Sequence, residues 1–157
     1  MKTIRNISIA LLCVMLVGCG TSGTKKTSTK TSDSTTTSAT SDADYSVATG
    51  IKAAKVEDFA TKVRTAILEQ NWKQIARMCD YPITIGKKKY KTSSALENAK
   101  ITLSSKFLAA IKAEDCSKMF VNSKGIMMGS DGEVWIGEVL DDNMKSQGLR
   151  IIAINID

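Results

Sequence analysis

Apolar side chains fall at Val56, Phe59, Ala60, Val63 and Ile67, three and four residues apart, which predicts an amphipathic helix over residues 55–70. Lys52, Lys55, Glu57, Lys62 and Glu69 lie largely outside that stripe. Trp72, Ile75, Ala76 and Cys79 repeat the spacing after Asn71, a side chain suited to N-capping, and predict a second, shorter helix. Pro82 disfavours the helical conformation at Tyr81, so this helix should stop near Asp80 and the chain should leave extended through Ile85. Ser94 to Glu97 has the form of a capping box. It opens a predicted third helix that carries Leu96, Leu103, Phe107 and Ile111 on one side and ends around Ala113.

Beyond that helix the pattern becomes strand-like. Lys118–Asn122, Gly125–Gly129, Glu133–Leu140 and Leu149–Ile156 are short β-rich runs, and Gly129 to Gly132 has hairpin-turn composition. In the last run both alternating sets, Leu149, Ile151, Ala153 and Ile152, Ile154, Ile156, are apolar. Such a strand is expected at the centre of a sheet, covered on both faces. Helices followed by a meandering sheet make the predicted class α+β.

Residues 1–18 carry a different pattern. Lys2 and Arg5 precede an apolar run from Ile7 to Val17, the layout of a secretory signal peptide. The run is too short to cross ~30 Å of hydrocarbon, which takes about 20 apolar residues. It closes on Leu16-Val17-Gly18-Cys19, which resembles the lipobox of bacterial lipoproteins. The resemblance implies a diacylglyceryl group on the Cys19 thiol and cleavage just before it. The product would be an exported protein held by lipid on the outer leaflet of the cell membrane, or on an outer membrane where the host has one. Each acyl CH₂ buried contributes roughly 0.8 kcal/mol, so two or three chains hold firmly.

From Gly20 to Asp44, 15 of 25 residues are Ser or Thr, and none is Val, Ile, Leu, Met or aromatic. Such a segment cannot bury enough apolar surface to offset the entropy of ordering it, and reads as a flexible tether. The expected organisation is a signal peptide over 1–18, the lipidated Cys19 with its tether over 19–50, and a folded domain over 51–157. Lys2 and Arg5 account for two of the formal +6 and the tether's charges cancel, so the folded part holds +4.

The chain has no histidine, which excludes Ser-His-Asp and Cys-His nucleophile systems and every His-containing zinc site. It has no glycine-rich nucleotide loop or metal-ligand motif either, so no cofactor and no metal is expected. Of the cysteines outside the first 19 residues, Cys79 and Cys116 form an even pair suited to a disulfide in an exported chain. Cys79 also falls on the apolar stripe of the second helix, where a buried free thiol fits as well.

The order of elements resembles a known superfamily. A helix, a helix ending in Cys79-Asp-Tyr-Pro-Ile83, a short strand pair and a long helix come first. Met119-Phe-Val-Asn-Ser-Lys-Gly-Ile-Met-Met-Gly129, Gly132-Glu-Val-Trp-Ile136 and the closing Ile151-Ile-Ala-Ile-Asn155 follow. Over residues 52–157 this is similar to the nuclear transport factor 2-like superfamily. The more specific part is Gly125, Gly132, Glu133 and Trp135 taken with Ala153, Ile154 and Asn155. The resemblance implies a cystatin-like cone, in which a strongly curved antiparallel sheet wraps a long helix and the open end is often a ligand pocket. It does not imply one activity, because the same cone serves isomerases, dehydratases, cyclases, oligomerisation modules and domains of unknown role.

Trp72, Asp80, Tyr81, Phe107 and Trp135 are the candidate pocket residues, for a small apolar or peptidic ligand. An isomerase or dehydratase would need a pocket carboxylate, from Asp80 with Glu133 or Glu138, beside Tyr81 or Tyr90 as donor. Against this stands the plain alternative that Asp80 caps a helix end and the glutamates face water, and no residue is assigned a catalytic role. Lys87, Lys88, Lys89 and Lys91 are candidate contacts for anionic lipid, wall polymer or an acidic envelope protein, or else protect an edge strand from aggregation. Nucleic acid is not an expected partner, since Tyr90 alone interleaves these lysines. The sequence reading is therefore a membrane-anchored, non-catalytic ligand-binding or interaction module of the cell envelope, with a small-molecule enzyme as the alternative.

Overall fold

The periodic side chains of the first helix are buried together: Val56, Ala60, Val63, Ala66 and Ile67 line one face of α1 (Ala53–Leu68) in the computed structural model, which describes residues 43–156. The signal-peptide segment, Cys19 and most of the tether lie outside the described residues. α2 (Trp72–Met78) follows, with the Asn71 side chain accepting from the Gln74 N–H as an N-cap. It ends at Met78, and Cys79 is already extended. The hairpin of β1 (Ile83–Ile85) and β2 (Lys88–Tyr90) comes next, turning at Gly86 with φ 58°.

The third helix differs from expectation. In place of one long helix there are two short ones, α3 (Ser93–Glu97) and α4 (Ser105–Ala113). Thr92 rather than Ser94 caps the first, its hydroxyl accepting from Ala95, and Ser104 restarts the second by accepting from Phe107. The Asn98 amide donates to the Ser94 carbonyl at the break. Side chains of this kind compete with the helical ladder, so a dense run of Ser, Thr and Asn divides what the apolar spacing alone would join. The inward set is unaffected, and Leu96, Leu103, Phe107 and Ile111 are all buried. The guanidinium of Arg64 on α1 donates to the carbonyls of Ile111 and Lys112, tying α1 to the end of α4.

β3 (Phe120–Asn122), β4 (Gly125–Met128), β5 (Val134–Leu140) and β6 (Ser146–Ile154) complete the sheet, in the order β2-β1-β6-β5-β4-β3. The protein is α+β, with helices preceding most of a six-stranded, unclosed sheet. That sheet is mixed rather than wholly antiparallel: β1 runs parallel to β6 through Ile85 and Ile154, and Cys79 forms a parallel bridge to Ile151.

β6 is central, as its composition predicts, but only one of its faces is covered. Leu149, Ile151 and Ile154 are buried while Ile152 is 36 % exposed. A register shift opposite Trp135 and Ile136 inserts one extra residue and resets the alternation. Residues 149 and 151 before the bulge and 154 after it therefore face the same core, and two apparent apolar faces become one. Ile152 instead crosses the outer face over Gly137, where an added Cβ would stand 3.0 Å from its Cδ1.

The packed body begins ahead of residue 51. Tyr45 and Thr49 are buried, and the Thr49 hydroxyl and Gly50 N–H donate to Glu138 Oε2 at 2.8 and 2.9 Å.

Candidate functional site

Gly132, Glu133, Trp135, Ala153, Ile154 and Asn155, singled out in the sequence, meet at one end of the β5–β6 ribbon, while Gly125 lies apart at the start of β4, against Ile136 and Ile152. The Asn155 amide donates to the Gly132 carbonyl at 2.6 Å, and the Asn155 N–H donates to the Glu133 carbonyl at 2.8 Å. Trp135 pairs with Ala153, and its indole lies against Gly132, where a Cβ would come within 2.9 Å of Nε1. Glu133 is buried and accepts from Asp131 N–H, closing the 129–132 turn. Glu114, reaching over from the end of α4, accepts from Gly129 N–H. Burial pushes the Glu114 carboxyl up from the ordinary range, outweighing that hydrogen bond, and Asp115 and Glu133 add to the rise. These groups are spent on one another. The cavity among Lys106, Phe107, Asp131, Glu133 and Asn155 is about 60 Å³, room for little more than a water or two.

The five candidate pocket residues are not gathered by the fold. Phe107 borders that small cavity from the core. Trp72 is half-buried at the start of α2. Asp80 is exposed, its backbone N–H donating to Ile151, and the Tyr81 hydroxyl donates to the Ala76 carbonyl at 2.7 Å. Trp135 falls between the inward-facing Val134 and Ile136, so its side chain belongs to the opposite face of the sheet, beside Met127 and Ala153. Nor do the acids considered for catalysis converge. Glu133 and Glu138 stand at the two ends of β5, about 16 Å apart along an extended chain. Among the described residues no cluster of acids or cysteines is placed to hold a metal, and no helix is long and apolar enough to cross a membrane.

Cys79 and Cys116 are free thiols, not a disulfide. Each is fixed to a different element: Cys79 is bridged to β6, and Cys116 lies beside Thr61 and Arg64 of α1. Burial, reinforced by neighbouring Asp80, pushes the Cys79 thiol up to about 12, so it is un-ionised and unreactive at neutral pH. Lys87, Lys88, Lys89 and Lys91 are exposed at the β1–β2 hairpin, with Lys88 Nζ 5.1 Å from the centre of the Tyr90 ring. β2 is an edge of the sheet, where exposed lysines discourage pairing with another chain.

A roomier cleft opens at the opposite end of the ribbon, between α1 and the start of β6, with a volume of about 540 Å³. Ile51, Phe59 and Leu149 supply its apolar surface. Lys55, Lys62 and Arg150 bring three positive charges to it against the single carboxylate of Asp58. Among the described residues none of these charges is engaged in an ion pair. One wall is held by Glu138, which takes hydrogen bonds from Ser146, Thr49 and Gly50. They depress its carboxyl below the ordinary range.

The pattern at 55–70 places Phe59 on the core stripe and the lysines on the solvent side, which is why the cleft is not visible in it. Phe59 is at the stripe's margin, half-buried, with its remaining surface in the cleft. One local signal exists. Lys52 and Lys55 crowd the positive end of the α1 dipole, and its first turn has neither an acidic residue nor a side-chain cap. Comparison with family models, curated proteins and solved structures returns no match for this chain.

Proposed function

We propose that this is an exported lipoprotein, acylated on Cys19 and carried on a Ser/Thr-rich tether, whose folded domain is a non-catalytic ligand-binding or interaction module of the cell envelope. The domain is read as a nuclear transport factor 2-like cone, on the motif order and on a mixed, unclosed sheet with helices packed against its core face. The observation that carries the non-catalytic reading is the separation of the chemistry: Asp80, Glu133 and Glu138 share no described cleft with Tyr81 or Tyr90, and the α1–β6 cleft is lined by three cations, apolar side chains and the single carboxylate of Asp58. Such a lining favours an anion, and its one carboxylate, Asp58, has neither a second acid nor a tyrosine among the lining residues to work with.

Intact-mass analysis of the protein from its host's membranes, with extraction of bound small molecules, tests this reading. A mass fitting diacylglyceryl-Cys19, lost in Cys19→Ala, supports anchoring, and an uncleaved chain retaining residues 1–18 overturns it. Turnover of a small-molecule substrate that Asp80→Asn or Glu133→Gln abolishes would overturn the non-catalytic assignment.

A further inference from the structure

We infer that the α1–β6 cleft binds the phosphate of an anionic phospholipid headgroup, with the surrounding loop tips seated among the acyl chains. The inference rests on the membrane-anchored reading for the source of the lipid, but not for the chemistry of the cleft.

Charge comes first. Lys55, Lys62 and Arg150 face one opening against Asp58 in its lining and Glu138 behind Ser146, an excess of one positive charge, and Lys52 and Lys55 oppose the dipole at the start of α1. In the free protein this arrangement is repulsive, and a bound anion relieves both conflicts at once. Local conflict of this kind, uncompensated within the fold, is characteristic of binding sites.

Shape and polarity narrow the anion further. Phe59, Ile51 and Leu149 give the cleft an apolar side that a small inorganic ion would leave unused. The same end of the ribbon presents the most exposed large apolar side chains of this region: Met144 at 75 %, Val47 at 58 % and Leu140 at 43 %. They are brought there by the β5–β6 connection, where Leu140 pairs with Ser146, and by the Glu138 bonds to Thr49 and Gly50. Cations beside exposed apolar side chains, Leu140 at the end of β5 and Val47 and Met144 in turns, match a membrane surface, which offers phosphate and hydrocarbon at adjacent depths. Of the two acids on the same connection, Asp141 is taken up by the Asn143 and Lys145 N–H groups and Asp142 is exposed to water.

Calorimetric titration of the full chain with dihexanoyl phosphatidylglycerol, kept below its micelle concentration, tests the inference without a bilayer. Dihexanoyl phosphatidylcholine and glycerol phosphate are the comparison ligands. The expected result is saturable binding of phosphatidylglycerol, weakened about tenfold or more by combined Lys55→Glu and Lys62→Glu and unchanged by combined Lys88→Glu and Lys89→Glu. Met144→Ser should weaken phosphatidylglycerol binding while leaving glycerol phosphate unaffected. Thermal midpoints of the variants show that each is folded. Equal affinity for the zwitterionic lipid, or loss of binding in the edge-strand variant alone, overturns the site. Glycerol phosphate binding as tightly as phosphatidylglycerol overturns the lipid and leaves a soluble phosphate as ligand. Because the titration is done in solution, a chain lacking acyl-Cys19 can still bind, and an acylated chain that fails to bind loses only the cleft.

Discussion

The two ends of the β5–β6 ribbon are built from the same strand pair and treat polar groups in opposite ways. At the 132–135 end Gly132, Glu133, Trp135 and Asn155 satisfy one another, and about 60 Å³ is left among their neighbours. At the 138–150 end the strands open onto about 540 Å³ lined by charges that have no ion-pair partner among the described residues. The first end contains most of the residues singled out as motifs in the sequence, and the second contains those with capacity left to bind something. Motif residues here build the fold, and the proposed binding surface lies in positions that carry no motif.

The hardest test of that contrast is Gly132→Ala. Gly132 has φ 79°, and its new Cβ would fall 2.9 Å from the Trp135 indole nitrogen. Backbone strain and overpacking together should cost about 3 kcal/mol, lowering the thermal midpoint by roughly 10 to 20 °C. A calorimetric midpoint within a few degrees of the parent would show that the closed end is not a structural clasp. Asn155→Ala should act on the same clasp more gently, at about 1 kcal/mol in urea denaturation, because it removes the amide donor to Gly132 but not the backbone pairing.

Acid titration sharpens the comparison, since the two ends carry carboxylates shifted in opposite directions. Glu138 is held below its ordinary value of 4.5 by the hydroxyls of Ser146 and Thr49 and the Gly50 N–H. Its contribution to stability is therefore full above pH 4.5 and is lost as pH falls through the lower folded value. Glu114 is raised above 4.5 mainly by burial, so its contribution is full below pH 4.5 and is lost as pH rises through the folded value. Glu138→Gln should then destabilise at pH 7 and have little effect near pH 3. Glu114→Gln should gain in relative stability between pH 4 and pH 7. Each effect should stay below about 1 kcal/mol, because water screens both groups. Urea midpoints across that range that move in the same direction for both variants would break the contrast. The smallest effect is expected at the open end, where Lys62→Glu should change stability by no more than about 0.5 kcal/mol. A larger loss would mean that Lys62 supports the fold.

The helical stripes were legible because period and burial are coupled locally, residue against residue on one helix face, and Leu96, Leu103, Phe107 and Ile111 stay buried although Leu103 falls in the link between α3 and α4. The division of the third helix was not, since Thr92, Asn98 and Ser104 act through hydrogen bonds that apolar spacing does not register. The alternation of β6 misled for a related reason: a bulge depends on the partner strand, and one extra residue exchanges the two faces. Trp135 and Asp80 are plausible pocket residues by type, yet the first belongs to the outer sheet face and the second is exposed.

The sequence by itself determined the α+β class, the inward side chains of the helices and the central place of β6. These follow from local periodicity and from the hydrophobic cost of leaving such side chains in water. Only the tertiary structure decided which polar residues meet. Lys55 and Lys62 are separated from Arg150 by most of the domain in sequence, and the packing of α1 beside β6 brings them to one opening. Electrostatic sites depend on distance in space, which periodicity along a chain does not encode.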